Sequence, residues 1–187
     1  MAFVKIKSIV TNCTCVRYGL ILLLLGLMLF APAKVNAQED IDYTFYPKYL
    51  YHFTKYIDWP ANKKGGDFVI AIVGESNATN AIKQFFAGKK VGTRNIVIKY
   101  MHSDADFASA HIVFVSSKLS SQINTIAPRV NTAKALLVTE KEGLARKGAD
   151  ISFFIKDEKL KFEINKGVIE NKGLKIATEL LKLAVVI

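Results

Sequence analysis

The feature that most constrains the fold is a series of short apolar runs separated by helical patterns. Phe68–Val73 is apolar at every position, which is typical of a central strand covered by helices on both faces. Similar runs follow at residues 95–100, 111–115 and 135–139. Strands that alternate with helices predict one α/β domain, a three-layer α/β/α sandwich with a mostly parallel central sheet.

The carboxy-terminal part adds an antiparallel hairpin to this sheet. Two runs, at residues 149–155 and 160–165, flank a charged turn. In the second run Leu160, Phe162 and Ile164 alternate with polar residues. We therefore expect one buried face and one face that meets solvent or a partner, as at the edge of a sheet.

Five segments carry helical periodicity, and their ends carry stop or start signals. The segments are residues 43–59, 78–87, 119–126, 166–170 and 177–184. Pro60 stops the first, an aromatic-rich amphipathic helix whose apolar stripe is expected to be core. Ser76 or Asn77 is placed to cap the second, and Asn165 the fourth, by accepting a hydrogen bond from a free backbone N–H.

The amino terminus has the pattern of an export signal. Basic residues precede an apolar run at residues 20–30, and small residues at Val35 and Ala37 provide a cleavage site. We predict a cleaved signal peptide over residues 1–37 and a single domain over residues 38–187. An uncleaved amino-terminal anchor is the competing interpretation, although the run is short for a membrane span.

Cleavage would remove both cysteines, Cys13 and Cys15, so the exported chain would have no disulfide and would depend on its core. Its net charge would be +6, from 22 basic and 16 acidic residues. A mild excess of this kind is more often a solvated surface than a polyanion site. No basic run interleaved with aromatic residues argues for nucleic acid, so we expect a periplasmic protein with no nucleic-acid partner.

The polar residues do not form a recognisable catalytic or metal-binding pattern. The three histidines have no metal-ligand spacing, and neither a serine-hydrolase elbow nor a cysteine nucleophile remains. The single glycine of Gly74-Glu-Ser-Asn77 is weak support for an anion site. An ordinary turn with a helix cap is the favoured interpretation of this segment. We predict no catalytic activity, no cofactor and no metal.

Two other functions stay open. One is a carrier of a small ligand or cell-wall fragment that uses the Gly74 turn or a carboxy-terminal pocket. The other is a hydrolase whose catalytic groups come together from distant positions, for which Glu140, Glu142, His102 and Asp104 are the nameable candidates.

The order of several motifs resembles the YfiR family. The resemblance rests on the aromatic helix that ends in Trp59-Pro60, on His111-Ile-Val-Phe-Val-Ser-Ser117, on Phe162-Glu-Ile-Asn165 and on the terminal Leu180-Leu-Lys-Leu-Ala184. It covers nearly all of the chain after residue 37. Disulfides of well-known members have no counterpart here, because residues 38–187 contain no cysteine.

The resemblance implies a periplasmic regulator that forms homodimers and restrains a membrane-bound diguanylate cyclase through its periplasmic domain. A sensor kinase is an alternative receptor, and an OmpA-like outer-membrane lipoprotein is a second partner that relieves the restraint. The implied partner-binding pocket lies near the carboxy terminus. By position it contains Glu163 at the rim together with Ile164, Val168, Ile169, Leu174 and Ile176. The apolar members are equally what a plain core would contain.

Overall fold

The computed structural model describes residues 41–187. The predicted signal segment, residues 1–37, lies outside this range. The helices are α1 (Phe45–Tyr56), α2 (Asn77–Phe86), α3 (Ile123–Thr132), α4 (Lys166–Asn171) and α5 (Thr178–Leu181). Short 3-10 turns occur at Ala61–Lys63, Ser117–Gln122 and Ala145–Lys147. The strands are β1 (Ile57–Asp58), β2 (Phe68–Val73), β3 (Lys90–Val91), β4 (Arg94–Tyr100), β5 (Ile112–Val115), β6 (Leu136–Thr139), β7 (Ile151–Lys156), β8 (Lys159–Ile164), β9 (Lys175–Ile176) and β10 (Val185–Val186).

The central sheet has eight strands in the order β10-β8-β7-β6-β5-β2-β4-β3. Strands β4, β2, β5, β6 and β7 are mutually parallel, and β8 runs antiparallel to β7. Strand β3 is antiparallel to β4 at one edge, while β10 is parallel to β8 at the other. The predicted α/β class, the mostly parallel sheet and the antiparallel carboxy-terminal hairpin are therefore confirmed.

Helices cover both faces of this sheet, which gives the three layers. On one face α1, α2 and the carboxy-terminal helices pack in a core that contains Leu50, Ile82 and Ile169. On the other face α3 packs in a second core through Ile126 and Val130. Strand β2 supplies side chains to both cores, and all six of its residues are buried. A strand covered on two faces must be apolar on both, which explains the uniform run in the sequence.

Three predicted helix boundaries are wrong by several residues. Helix α1 ends at Tyr56, because the next two residues form β1 and pair with β9. Helix α3 starts only at Ile123, after a 3-10 turn. Helix α5 is a single turn, and the β-branched residues after it form β10 against β8. No helix within residues 41–187 has the length and apolarity needed to cross a bilayer.

The turn at Gly74 is an ordinary capped helix start, as expected. Ser76 is the N-cap of α2: its Oγ accepts from the Thr79 N–H at 3.3 Å, and the Thr79 hydroxyl accepts from the Ser76 N–H at 2.8 Å. Gly74 has φ +83°, and a Cβ there would lie 2.3 Å from the Ser116 Oγ. The close approach of the two chain segments therefore requires glycine.

Candidate partner-binding site

The carboxy-terminal region is built on the β7–β8 hairpin. Its turn consists of Asp157 and Glu158, which have φ angles of 53° and 58°, between the paired residues Lys156 and Lys159. Two successive residues at positive φ form the mirror-image turn that matches the twist of a hairpin. Helix α4 follows β8 directly, and Asn165 caps it: its Oδ1 accepts from the Val168 N–H at 3.2 Å. The predicted cap is confirmed.

Half of the predicted pocket residues are core. Ile164, Ile169 and Leu174 are buried and belong to the core between α1 and the sheet. Val168 and Ile176 are half-buried, and Ile176 pairs with Ile57 where β9 meets β1. The apolar members thus occupy one region of the fold, but three of them have no surface that a partner can contact.

Glu163 does not lie on an exposed polar face. Its side chain is 7% exposed, and its Oε1 accepts from the Gly143 N–H at 3.0 Å. It is opposite Ser152 in β7, and Ser152 in turn accepts from the Thr139 hydroxyl at 2.9 Å. This polar row connects the sheet to the turn at Gly143. The expectation that β8 forms the sheet edge is wrong at Glu163 and Ile164, because β10 pairs with these two residues. The expected solvent-facing polar side is wrong for Glu163, whereas the Lys161 side chain is 39% exposed.

A buried ion pair anchors the end of α4 to the sheet. Lys172 Nζ lies 2.6 Å from Asp150 Oδ2, and both side chains are almost completely buried. The same Oδ2 accepts from the Leu137 N–H at 2.5 Å, and Lys172 also donates to the Ala135 carbonyl at 3.1 Å. Asp150 Oδ1 has no hydrogen-bond partner in the described structure. Burial raises the pKa of Asp150 and lowers that of Lys172, and each shift is partly offset by the opposite charge.

The exposed apolar side chains of this region lie at the terminus of the chain. Leu183, Val185 and Val186 are 63%, 49% and 48% exposed. We call these three residues the β10 surface. Val185 and Val186 pair with Glu163 and Ile164 of β8, so the surface is held at the edge of the sheet. Residues 183–187 are a short apolar run, and the sequence alone does not indicate that three of its side chains are exposed.

A cavity of about 360 Å³ lies near the amino-terminal ends of β2 and β5. Lys63, Asp67, Lys99 and His111 contribute its charged or titratable lining. Lys63 Nζ donates to the carbonyls of Ala108 and, at 2.9 Å, of Ala110. Its ammonium therefore holds two chain segments together. The alternative of a small-ligand carrier stays a prediction.

His111 is buried in the wall of this cavity as a neutral ring. Its Nδ1 accepts from the Val69 N–H at 3.1 Å, and its Nε2 donates to the Lys63 carbonyl at 2.7 Å. Burial lowers its pKa to about 4, and the charges of Arg94 and Lys63 act in the same direction. A proton on Nδ1 would break the bond from Val69. His111 is therefore structural, as predicted.

The hydrolase candidates Glu140, Glu142, His102 and Asp104 do not form a metal-ligand set within the described residues. Glu140 Oε2 accepts from the Ser117 N–H at 2.8 Å, which ties the ends of β5 and β6. His102 and Asp104 are exposed in the loop after β4. Within residues 41–187, no group of three or more His, Cys, Asp or Glu side chains is arranged to hold a metal ion.

The fold and this region define a three-layer α/β sandwich with an apolar surface at one sheet edge. A family model described as YfiR/HmsC-like matches residues 44–185, and the chain belongs to this family. Its members are periplasmic regulatory proteins, so the class inferred from the sequence motifs is confirmed at the level of the family.

Three solved structures are similar to this chain at low sequence identity, one of them with a TM-score above 0.5. A conserved domain protein from Vibrio cholerae O1 biovar eltor is similar over 75% of this chain and 59% of its own, with 15% identity and a TM-score of 0.54. The ABC domain in complex with L-Trp from Streptococcus pneumonia matches over 64% and 55%, with 16% identity and a TM-score of 0.49.

A substrate binding protein with adhesive properties from Clostridium difficile, in its ligand-free, open structure, matches over 64% of this chain and 54% of its own. Its identity is 11% and its TM-score 0.47. This chain therefore spans little more than half the length of these solved chains. No curated protein matches it significantly.

Proposed function

We propose that this chain is a non-catalytic periplasmic protein that binds and restrains the periplasmic part of a membrane signalling protein, either a diguanylate cyclase or a sensor kinase. Family membership supports the regulatory class. The observation that carries the binding role is the β10 surface, where three large apolar side chains are exposed at one edge of the sheet, with Val185 and Val186 on opposite faces of the strand. Exposed apolar clusters of this kind typically mark protein contacts.

The contact is proposed to use side chains rather than a shared strand ladder. Strand β10 has only two residues, so few backbone groups are available to pair with a partner strand. Full burial of a valine or leucine side chain contributes about 1.5–3 kcal/mol. Because the three side chains are already about half buried, their burial in a contact can supply roughly 2–5 kcal/mol of binding free energy, provided that their positions are fixed before binding.

The fold fixes these positions through buried contacts. Ile187 N–H donates to the Ile164 carbonyl at 2.9 Å, which holds the chain end against β8. Leu180 is buried in the core and anchors the turn before β10. Ile164, Ile169 and Leu174, predicted as contact residues, are proposed to support the surface from below, with Glu163 bound to Gly143. Val168 and Ile176 are the predicted residues that remain accessible.

The test is a Val186→Glu variant expressed from its own gene position in a cell that lacks the wild-type chain. A charge placed in an apolar contact is uncompensated, so we expect receptor binding to weaken at least tenfold and the output of the receptor to rise. For a cyclase that output is cellular cyclic di-GMP; for a kinase it is phosphorylation of its response regulator.

Ser121→Glu is the matched control, because it adds the same single negative charge at an exposed residue outside the β10 surface. The control should keep the receptor restrained. Equal effects of the two variants, or normal restraint by folded Val186→Glu, would contradict the proposal for the β10 surface. Thermal unfolding of both purified variants separates loss of binding from loss of folding.

We also propose a lipoprotein partner, a homodimer and cleavage of the signal peptide, and each has its own test. An OmpA-like lipoprotein that relieves the restraint would compete with the receptor for the β10 surface, and Val186→Glu should weaken both interactions. Homodimer formation is tested by sedimentation of the purified protein. Export with cleavage after Ala37 is tested by the mass of the protein recovered from the periplasm.

A further inference from the structure

The helices α1 and α2 present a second surface, with a different chemistry from the β10 surface. Four lysine ammonium groups each lie over an aromatic ring. Lys48 is 4.6 Å from the ring centroid of Phe45, Lys55 4.3 Å from Tyr51, Lys89 4.4 Å from Phe85 and Lys83 5.8 Å from Tyr100. We call these four lysines and their four aromatic partners the basic aromatic face.

The centre of this face joins the two helices. Tyr51 of α1 and Phe85 of α2 meet edge to face, with ring centroids 6.2 Å apart. Lys55 and Lys89 therefore lie on two rings that touch each other. A cation over a ring is held in position by the ring quadrupole while its N–H groups stay available. The contact thus orders two positive charges at the seam between α1 and α2.

The two segments that carry this face contain no carboxylate, although Asp42, Asp58, Glu75 and Asp104 flank them. Residues 76–103 contain five basic residues and no Asp or Glu, and residues 43–57 contain two lysines and no acid. None of the four ion pairs among the described residues involves a lysine of the face. Asp42 lies beside Lys48; its pKa is lowered by hydrogen bonds from Thr44 and, to a lesser degree, by that lysine. Because Asp42 partly offsets the charge of Lys48, Lys55 and Lys89 are the lysines chosen for substitution.

Most of the excess positive charge of the domain lies in these two segments. Residues 43–57 and 76–103 together carry seven positive charges, whereas all of residues 38–187 carry a net charge of +6. The rest of this range is therefore close to neutral. Four of the seven charges are the lysines of the face, and their local positive potential attracts a surface of opposite charge.

We propose that the basic aromatic face binds the surface of an anionic lipid bilayer. Lysines near an anionic membrane each contribute about a fivefold gain in partitioning, and aromatic rings with an exposed edge are favoured at the depth of the headgroups. Phe45 and Tyr100 are among the few large apolar side chains exposed in the described structure, and both lie on this face. Lysines beside exposed rings match two properties of a headgroup layer, its negative charge and its preference for aromatic side chains.

This inference goes beyond the regulatory role and uses other residues than the β10 surface. A protein held on the bilayer by α1 and α2 would be concentrated where a membrane receptor displays its periplasmic domain. The two surfaces can be tested separately, because a variant of one leaves the other unchanged.

The experiment is co-sedimentation of the exported chain, its amino terminus verified by mass, with lipid vesicles. One set of vesicles contains phosphatidylcholine alone, and the other contains equal parts of phosphatidylcholine and phosphatidylglycerol. We expect binding to the second set only, and a decline as salt is raised, since screening shortens the reach of surface charges. K55E/K89E should lower the partition coefficient at least about 30-fold, because two attractive charges become repulsive.

K118E/K147E is the matched control, since it changes the net charge equally at two exposed lysines outside the face. It should bind like the wild type. Equal loss in both double variants would mean that net charge alone matters and would overturn the proposal, as would equal binding to both vesicle types. Dextran sulfate serves as a soluble polyanion probe. Retention on it that depends on Lys55 and Lys89, without vesicle binding, would assign the face to a soluble acidic macromolecule instead.

Two measurements keep the outcome separate from folding and from the regulatory role. Both double variants should unfold within a few degrees of the wild type, because the substituted lysines are exposed. Val186→Glu should bind vesicles normally, whereas K55E/K89E should still bind the receptor domain in solution. Loss of vesicle binding in Val186→Glu would show that the β10 surface, and not the basic aromatic face, contacts lipid.

Discussion

Replacing Lys172 with methionine tests the buried ion pair that fixes α4. The substitution keeps the length of the side chain but removes the ammonium group 2.6 Å from Asp150 Oδ2. After the substitution, the Leu137 N–H is the one hydrogen-bond donor to the Asp150 carboxylate that remains among the described residues. Breaking one partner of a buried pair typically costs about 3–5 kcal/mol. Since a domain is stable by only about 5–15 kcal/mol, this is a large fraction of the total.

Urea unfolding at neutral pH is the assay. With a denaturant dependence of about 2 kcal/mol per molar, a loss of about 4 kcal/mol lowers the midpoint by about 2 M. The double variant Asp150→Asn/Lys172→Met should recover at least about 1 kcal/mol, because no charge is left buried and the amide oxygen can still accept from Leu137.

The pH dependence has a definite sign. Burial already raises the pKa of Asp150, and loss of Lys172 removes the charge that opposes this rise. For a carboxyl whose folded pKa lies above its unfolded value, stability is greatest below the unfolded pKa and is lost as pH rises through the folded one. Lys172→Met should therefore be less destabilised at pH 5 than at pH 8, relative to the double variant.

A Lys172→Met protein within 1 kcal/mol of the wild type at neutral pH would refute this reasoning. So would the same pH dependence in the single and the double variant, because the carboxyl would then not be the group that titrates.

Three further predictions concern other parts of the fold. Glu158→Gly should raise the free energy of unfolding by about 1 kcal/mol, because Glu158 has φ 58° and glycine adopts this conformation without steric cost; an unchanged urea midpoint would contradict it. Ile169→Ala should cost about 2–5 kcal/mol in urea unfolding, whereas the half-buried Val168→Ala should cost less, and equal losses would show that Ile169 is not core. The His111 pKa of about 4, against an unfolded value of 6.5, should contribute stability that is complete above pH 6.5 and decreases by about 3 kcal/mol as pH falls toward 4; His111→Gln should remove this dependence.

Local signals in the sequence were sufficient for much of the fold. The uniform apolar run of β2 identified a strand buried on both faces. Asn165 was correctly predicted as a cap, and Ser76 is the N-cap among the two residues predicted for α2, Ser76 and Asn77. These features depend on a few neighbouring residues and on backbone hydrogen bonds, so one sequence contains the information. The aromatic stripe of α1 was also predicted as core, and Leu50 and Phe53 are completely buried.

The candidate site could not be predicted to the same extent, because its features depend on residues that are distant in sequence. Glu163 looked like an exposed charge on an alternating strand, but the turn at Gly143 covers it. Nothing near Asp150 in the sequence indicates that Lys172 will reach it. The exposure of Val186 depends on where the last residues pair, and a terminal apolar run alone does not determine this.

The central claim is that the β10 surface contacts a membrane signalling protein. The most direct measurement is photocrosslinking in living cells, with a photoreactive amino acid placed at Val186 and, for comparison, at Lys118. We expect Val186 to crosslink to the periplasmic part of one membrane protein with a cytoplasmic cyclase or kinase domain, and Lys118 not to do so. The claim would be contradicted if the protein is correctly exported and Lys118 crosslinks to such a membrane protein while Val186 does not.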